Sequence, residues 1–368
     1  MTGPAATTGA GAVTGPAALP PIAQFWGLVN GFTGYFSVLA AEELGVFTVL
    51  DDGPAEVDQI AERCGVDPTR LLVVLGGNVA AGTVERRADG FALTPLSAAH
   101  LVRGRPGYLG ALLRHSPGPF ENWPHLADTV RGASPPRDVG NEAGEFLAEL
   151  VQATFPVQLA VARAAVGSVL AGRLPPGARV LELGAGAAPW SVAVLEHDRS
   201  AEAAVNDLPA VVPLAHRALG DAGVVDRATF VDGDYWQVDL PADHFDLVVL
   251  GHVCRAEGDG GAAALVARAA TALAPGGRLV LAEYLLADDL TGPVQAQLLG
   301  VTMTASTERG GTFTHRQARA WLEGAGLVVE EEATPVPPTN LVVARRPGGD
   351  DRRLRPGGDR RDDEGERP

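Results

Sequence analysis

Three stretches of this chain combine residue types that can hold a ligand, and a fourth combines types that can move a proton. In Glu182-Leu183-Gly184-Ala185-Gly186-Ala187-Ala188, two glycines follow the apolar run Arg179–Leu183. Glycines at such a turn permit tight backbone geometry and close approach of a ligand. Asp207, with Leu208 beside it, stands 25 residues after Glu182 at the end of a second apolar run. A carboxylate there can accept from both hydroxyls of a ribose. Gly233-Asp234-Tyr235-Trp236 follows a third run and offers a carboxylate and aromatic rings to a flat heterocycle. The fourth stretch, Leu250–Glu257, holds His252 and Arg255, and Glu283 ends a later run. An imidazole titrates near neutrality and can take a proton from a hydroxyl. A guanidinium stays charged, so Arg255 cannot be a base; it can hold a carboxylate or stabilise a phenolate.

The elements that would position these residues begin at Ala178. Strands are read at Arg179–Leu183, Ala203–Asn206, Ala228–Val231, Phe245–Leu250, Arg278–Glu283, Leu327–Glu332 and Leu341–Ala344. Helices are read between them at Trp190–Glu196, Val211–Ala222, Gly261–Leu273 and Thr314–Ala325. Val/Leu-rich strands alternating with helices predict an α/β fold, a Rossmann-like doubly wound sheet covered on both faces. A short Pro-rich link joins the last two strands, which predicts an antiparallel pair at one edge.

The N-terminal part reads differently. Phe25–Leu50 carries apolar residues at helical spacing, Val57–Cys64 forms a second helix, and Thr69–Ala81 a third, capped by Asp67 with Pro68 in its first turn. Strands Val84–Arg87 and Phe91–Leu93 close on Asp89-Gly90, a favoured hairpin dipeptide. Helices followed by a hairpin wing describe a winged helix. Its third helix offers only Arg70 and is otherwise apolar, which points to burial against another subunit rather than to DNA. Residues 105–175 read as a helical linker with Pro-rich breaks that can roof a pocket. Trp123, His125 and Phe155 from it, with Met303, are candidates to line an acceptor site; core packing accounts equally well for Trp123, Phe155 and Met303. The domain plan is therefore 1–21 disordered, 22–104 winged-helix dimerisation domain, 105–175 linker and lid, 176–345 catalytic domain, and 346–368 disordered.

Composition bounds the partners. The 368 residues carry a formal charge of −16, and all 29 positive side chains are Arg. Phosphate contacts need a clustered basic surface, so nucleic acid and anionic membrane are disfavoured. No uninterrupted apolar run approaches the roughly 18–20 residues of a bilayer span. Cys64 and Cys254 lie far apart and fit two free thiols in a reducing, cytoplasmic setting. The tail repeats RPGGD at Arg346–Asp350 and Arg355–Asp359 and is nearly devoid of apolar residues.

The order of the ligand-type residues matches class I S-adenosylmethionine-dependent methyltransferases. Glu182 would accept from the amino group of a methionyl moiety, Asp207 from the ribose, and Asp234 or its aromatic neighbours would lie beside the adenine. A dinucleotide site has less support, since Ala188 replaces its third glycine and no pyrophosphate loop is evident. More specifically, the sequence resembles the dimeric small-molecule O-methyltransferases of plant-type architecture, common in actinobacterial natural-product pathways. The resemblance covers about residues 22–345. It rests on Leu44–Leu50 with Gly53-Pro54, Val84–Leu93 with Thr94-Pro95, Val180–Gly186, Asn206–Val212, Gly233-Asp234, Ala274–Glu283 and Trp321–Leu327. It implies a homodimer through the N-terminal domain, S-adenosylmethionine as cofactor, no metal, and a phenolic or related hydroxyl acceptor on a small aromatic substrate.

In that family the base is a His in a His-Asp-Trp stretch just after the fourth strand. Counting back from Pro275 places Arg255 at the base position and Glu257 at the Trp. Four readings stay open. His252 takes over as base; or Arg255 holds a substrate carboxylate or a phenolate; or the acceptor is an activated ring carbon; or the cofactor is bound without methyl transfer, for hydroxylation or cyclisation. Glu283 matches a carboxylate that orients the base, and beside Arg255 it can form an ion pair instead. Glu308, in Thr307–Thr314, resembles a second orienting acid at a longer spacing. His100, His115, His197, His216, His244 and His315 read as surface or helix-end residues without metal-ligand spacing.

Overall fold

A computed structural model describes residues 20–140 and 145–348. The disorder expected before residue 20 and after residue 348 lies outside the described residues. Two compact units separate at Gly110, the first ending there and the second running from Ala111.

In the first unit, α1 (Pro21–Glu43), α2 (Val46–Val49), α3 (Val57–Cys64) and α4 (Pro68–Ala80) precede β1 (Val84–Arg87), β2 (Gly90–Leu93) and α5 (Pro95–His100). The local signals act as their chemistry requires. Asp67 accepts from the Arg70 N–H at 2.8 Å and caps α4, with Pro68 in the first turn. The hairpin turns at Gly90, where an added Cβ would lie 2.4 Å from the Ala55 carbonyl oxygen. Only glycine lets the returning strand pack that close. Asn78 is fully buried on α4; its amide donates to the Ser37 and Val74 carbonyls, and Thr83 Oγ1 donates to its Oδ1. This one side chain ties α4 to α1 and to the start of the hairpin.

The second unit contains α6 (Gly110–His115, straddling the boundary), α7 (Leu126–Val130) and α8 (Glu145–Gly167). Then come β3 (Arg179–Leu183), α9 (Pro189–His197), β4 (Glu202–Asp207), α10 (Val212–Asp221), β5 (Ala228–Asp232) and β6 (Phe245–Gly251). The chain continues through α11 (Cys254–Ala272), β7 (Leu273–Glu283), α12 (Val294–Ser306), α13 (His315–Gly324), β8 (Val328–Val336) and β9 (Thr339–Arg345). The seven strands stand in the order β5-β4-β3-β6-β7-β9-β8; β3 to β7 run parallel, and β9 pairs antiparallel with both β7 and β8.

Strand side chains alternate between two apolar layers. Val180, Leu247, Val249, Val280 and Val343 face α8 and α9, whereas Leu181, Leu183, Val248, Leu250 and Leu281 face α11 and α13. Burial on both faces is what a doubly wound sheet requires.

Three features differ from the sequence reading. α11 starts at Cys254 and is interrupted at Gly258 (φ +70°), so Arg255 sits in a separate helical turn rather than in a loop. α12 was not foreseen; its apolar residues form no stripe, and Val294, Leu298 and Val301 are exposed. The segment Phe146–Gly167 of α8 is, by length and mean hydropathy, apolar enough for a membrane span, although Val161, Ala162, Ala165 and Val166 belong to the core.

Candidate active site

The strand order reverses direction at β3: β4 and β5 extend to one side, β6 and β7 to the other. A crevice therefore opens at the carboxyl ends of β3 and its neighbours, where open α/β sheets bind ligands. Register pairs Leu183 with both Asn206 and Leu250. Gly184, Asp207 and His252 thereby emerge at one edge from three strands.

Gly184 and Gly186 both lie in the left-handed region, at φ +59° and +58°. A Cβ on Gly184 would fall 2.4 Å from Val253 Cγ1 and 3.6 Å from Tyr235 Cε1; one on Gly186 would fall 3.3 Å from Val151 Cγ1 on α8. The loop is thus a cradle a side chain would fill. Asp207 fixes its shape: Oδ2 accepts from the Gly186 N–H and Oδ1 from the Leu208 N–H, each at 2.7 Å. Burial pushes its carboxyl up, against those two donors. The Gly233 N–H donates to the Asp207 carbonyl, and the buried Asn206 amide donates to the Val231 and Gly233 carbonyls. Gly184, Gly186, Asp207, Leu208 and Gly233 are therefore brought together. Asp234 accepts from the Trp236 N–H and the Gln237 amide within its own turn. The neighbouring Tyr235 ring, close to Gly184, donates its hydroxyl to Glu257.

Glu182 has other partners than the ones its position suggested. Its side chain faces the α9 layer and is 2% exposed. Oε1 accepts from the Trp190 N–H at 3.2 Å; Oε2 accepts from the Ser191 N–H and Oγ, both at 2.7 Å. Burial pushes this carboxyl up to about 7 despite those donors. The consequence concerns ligand choice. A dinucleotide's pyrophosphate sits on the free N–H groups of the helix after the glycine loop. Here Pro189 has none, and the next two are held by an internal carboxylate. The Ala185 N–H is likewise turned inward, to the Asn206 carbonyl. The crevice suits a nucleoside without phosphates, and S-adenosylmethionine has that chemistry.

At the β6 and β7 ends, Glu283 is 3% exposed on its side chain and anchors Arg255. Its Oε2 accepts from Arg255 Nε at 3.0 Å and Nη2 at 2.7 Å, and Oε1 accepts from the Arg255 N–H at 3.2 Å. Burial alone would raise this carboxyl; the guanidinium and His252 outweigh it and hold it at about 2. Arg255 Nη2 also meets His252 Nδ1. His252 adopts φ +63° and stacks edge-on against Tyr284, centroids 5.3 Å apart. Burial and then the Arg255 charge lower its pKa. The ion pair weighed for Arg255 and Glu283 is formed.

The acceptor candidates are less unified. Met303 reaches the cluster: a Cβ on Gly310 would touch both Met303 Cε (2.6 Å) and the Arg255 carbonyl (2.8 Å). Phe155 lies one helical turn from Val151 on α8, on the side that passes the glycine loop. Trp123 donates its indole N–H to the Pro117 carbonyl, and His125 is exposed. Glu308 accepts from Ser134 rather than from the His252 cluster. His115, read as a surface or helix-end residue, ends α6 and is buried beside Phe146. No group of three or more His, Cys, Asp or Glu among the described residues could hold a metal ion. Val151, Val253 and Tyr284 were not foreseen, because apolar and aromatic residues carry no signal of which face they serve.

Comparison with known proteins adds a family profile described as an O-methyltransferase domain, which matches residues 157–328. The tetracenomycin polyketide synthesis 8-O-methyl transferase of Streptomyces glaucescens is 26% identical over 325 residues, 87% of this chain and 95% of that protein. The 3-hydroxy-5-methyl-1-naphthoate 3-O-methyltransferase of Streptomyces sahachiroi is 27% identical over 329 residues, 86% of this chain and 93% of that one. Human N-acetylserotonin methyltransferase, solved in complex with SAM, shares the fold with a TM-score of 0.77 at 24% identity, covering 91% of this chain and 100% of that one.

Proposed function

We propose that this chain, which matches an O-methyltransferase profile over residues 157–328 and resembles streptomycete O-methyltransferases along most of its length, is an S-adenosylmethionine-dependent O-methyltransferase whose acceptor is a hydroxyl on a small aromatic natural-product intermediate. The observation that carries this reading is the pairing, at one sheet edge, of the phosphate-excluding loop around Gly184–Gly186 with the His252–Arg255–Glu283 cluster. When bound, S-adenosylmethionine supplies an electrophilic methyl on a sulfonium. This chain's residues do the rest: Asp207 and the loop hold the nucleoside, Tyr235 flanks it, and Arg255 and His252 face the incoming oxygen. Holding oxygen and methyl in line can supply about 7–11 kcal/mol of the barrier through lost translational and rotational freedom. The two streptomycete relatives are named for polyketide and naphthoate substrates, which supports the aromatic class. The expected result with a hydroxylated polycyclic aromatic acceptor is a mass gain of one methyl and stoichiometric S-adenosylhomocysteine. Conversion with no cofactor consumed would sink the reading.

We further propose a cytoplasmic homodimer through the first unit. The N-terminal half of α1 exposes Ile22, Phe25, Trp26, Leu28 and Phe32, and α4 exposes Leu72 and Val73. A helix apolar all round is covered by something, and a second copy provides a matching face. Trp26→Asp with Phe32→Asp is expected to halve the sedimenting mass. A wild-type chain that sediments as a monomer at micromolar concentration removes this proposal. Cys64 and Cys254 are free thiols, as a reducing compartment allows.

A further inference from the structure

The donors and acceptors around Arg255 do not balance, and the imbalance says in which protonation state the acceptor is bound. Glu283 is the cluster's only carboxylate, and both its oxygens already accept from Arg255. Arg255 has only donors, so its Nη2 contact with His252 Nδ1 requires that nitrogen to accept. The proton of a neutral imidazole then resides on Nε2. Glu283 lies 3.5 Å from the same Nδ1, a longer and weaker competitor for it. His252 Nε2 and Arg255 Nη1 make no hydrogen bond among the described residues. Every unengaged group of the cluster is thus a donor. The other titratable groups packed nearby are accounted for. Glu257 holds the Tyr235 hydroxyl, the buried Cys254 thiol is pushed up by desolvation, and Tyr284 stacks on both His252 and Arg255.

We infer that this site takes an acceptor already ionised in solution, an acidic phenol bound as phenolate, with His252 Nε2–H and Arg255 Nη1 donating to its oxygen and no residue acting as base. The inference rests on the methyl-transfer reading above and narrows its substrate class. In the step itself, a lone pair of the phenolate oxygen forms the O–CH3 bond as the C–S bond breaks. That electron pair stays on sulfur, the two charges cancel, and no proton moves. The phenol's proton has left to solvent before binding.

The test uses 4-nitrophenol, whose phenolate absorbs in the visible, with the full-length enzyme saturated in S-adenosylhomocysteine. The bound probe is expected to ionise about one pH unit below the free probe, a tenfold preference for the anion. His252→Gln, which keeps an N–H donor near the Nε2 position, is expected to preserve the shift and to stay within about tenfold of wild-type kcat/KM. Base catalysis is worth roughly 10²–10⁴, so a loss of that size in His252→Gln with unchanged S-adenosylhomocysteine affinity overturns the inference. A probe that fails to bind, or binds as the neutral phenol, overturns it too. In turnover, the pH of half-maximal kcat/KM should move with the acceptor between 4-nitrophenol and phenol, whose hydroxyl titrates like tyrosine's at about 10. A value fixed by the enzyme for both acceptors assigns a base after all. Product mass judges the methyl-transfer reading separately: an intact spectral shift with no methylated product counts against that reading alone.

Discussion

Glu283→Gln is expected to destabilise the fold by about 3–5 kcal/mol, the range found when one partner of a buried ion pair is removed. Domains have only about 5–15 kcal/mol in total, so this single amide should be the most damaging conservative change in the site. The cause is the cation left behind. Arg255 has a side chain 18% exposed, and both oxygens of its partner are engaged with it. A glutamine offers one acceptor where two are used and points an N–H at a donor. Urea unfolding at neutral pH measures the loss; a change below about 1 kcal/mol would show that the guanidinium is solvated rather than held. Arg255→Met combined with Glu283→Leu should recover most of the stability, because apolar replacement of both partners is often neutral. The pH dependence has a definite sign. A carboxyl held at about 2 in the fold against 4.5 in its ordinary state contributes stability that is complete above 4.5 and lost as pH falls through about 2.

Asp207→Ala should abolish usable cofactor affinity while sparing the fold. The carboxylate organises the loop through the Gly186 and Leu208 N–H groups and keeps lone pairs for ribose hydroxyls. Hydrogen bonds to a charged group contribute about 1.5–3 kcal/mol each, so losing two to the ribose weakens binding by about 100-fold or more. Asp207→Asn should fall between, since its amide nitrogen must face one of the two backbone donors. Calorimetry with S-adenosylhomocysteine reads this directly. Undiminished affinity in the alanine variant would remove Asp207, and with it the assigned crevice, from the cofactor site.

Much of the architecture was legible because it is written in local chemistry. The bounds of α3, β1 and β3 agree with those read from periodicity and caps, and the others mostly shift by a residue or two. Helices without a stripe were not legible: α12 exposes Val294, Leu298 and Val301 along one face while Ala296, Leu299 and Met303 turn to others, so apolar residues ring the helix and no period marks it. Among site residues, the glycines, Asp207 and Glu283 stood out because few other roles suit them at strand ends.

By itself, then, the sequence determined the doubly wound sheet and placed a glycine loop, an acid and a His–Arg pair at the carboxyl ends of its strands. Those depend on periods of two and of 3.6 residues and on short-range turns, which neighbours in the chain decide. The tertiary structure alone decided where each carboxylate points. Glu182, legible as a ligand, turns one residue's alternation away from the crevice and closes the helix end that would otherwise take a phosphate. Glu283 meets Arg255 only because β6 and β7 lie side by side, and that contact in turn holds the guanidinium against His252. Hydrogen-bond inventories close across strands distant in sequence, so no local pattern can reveal them.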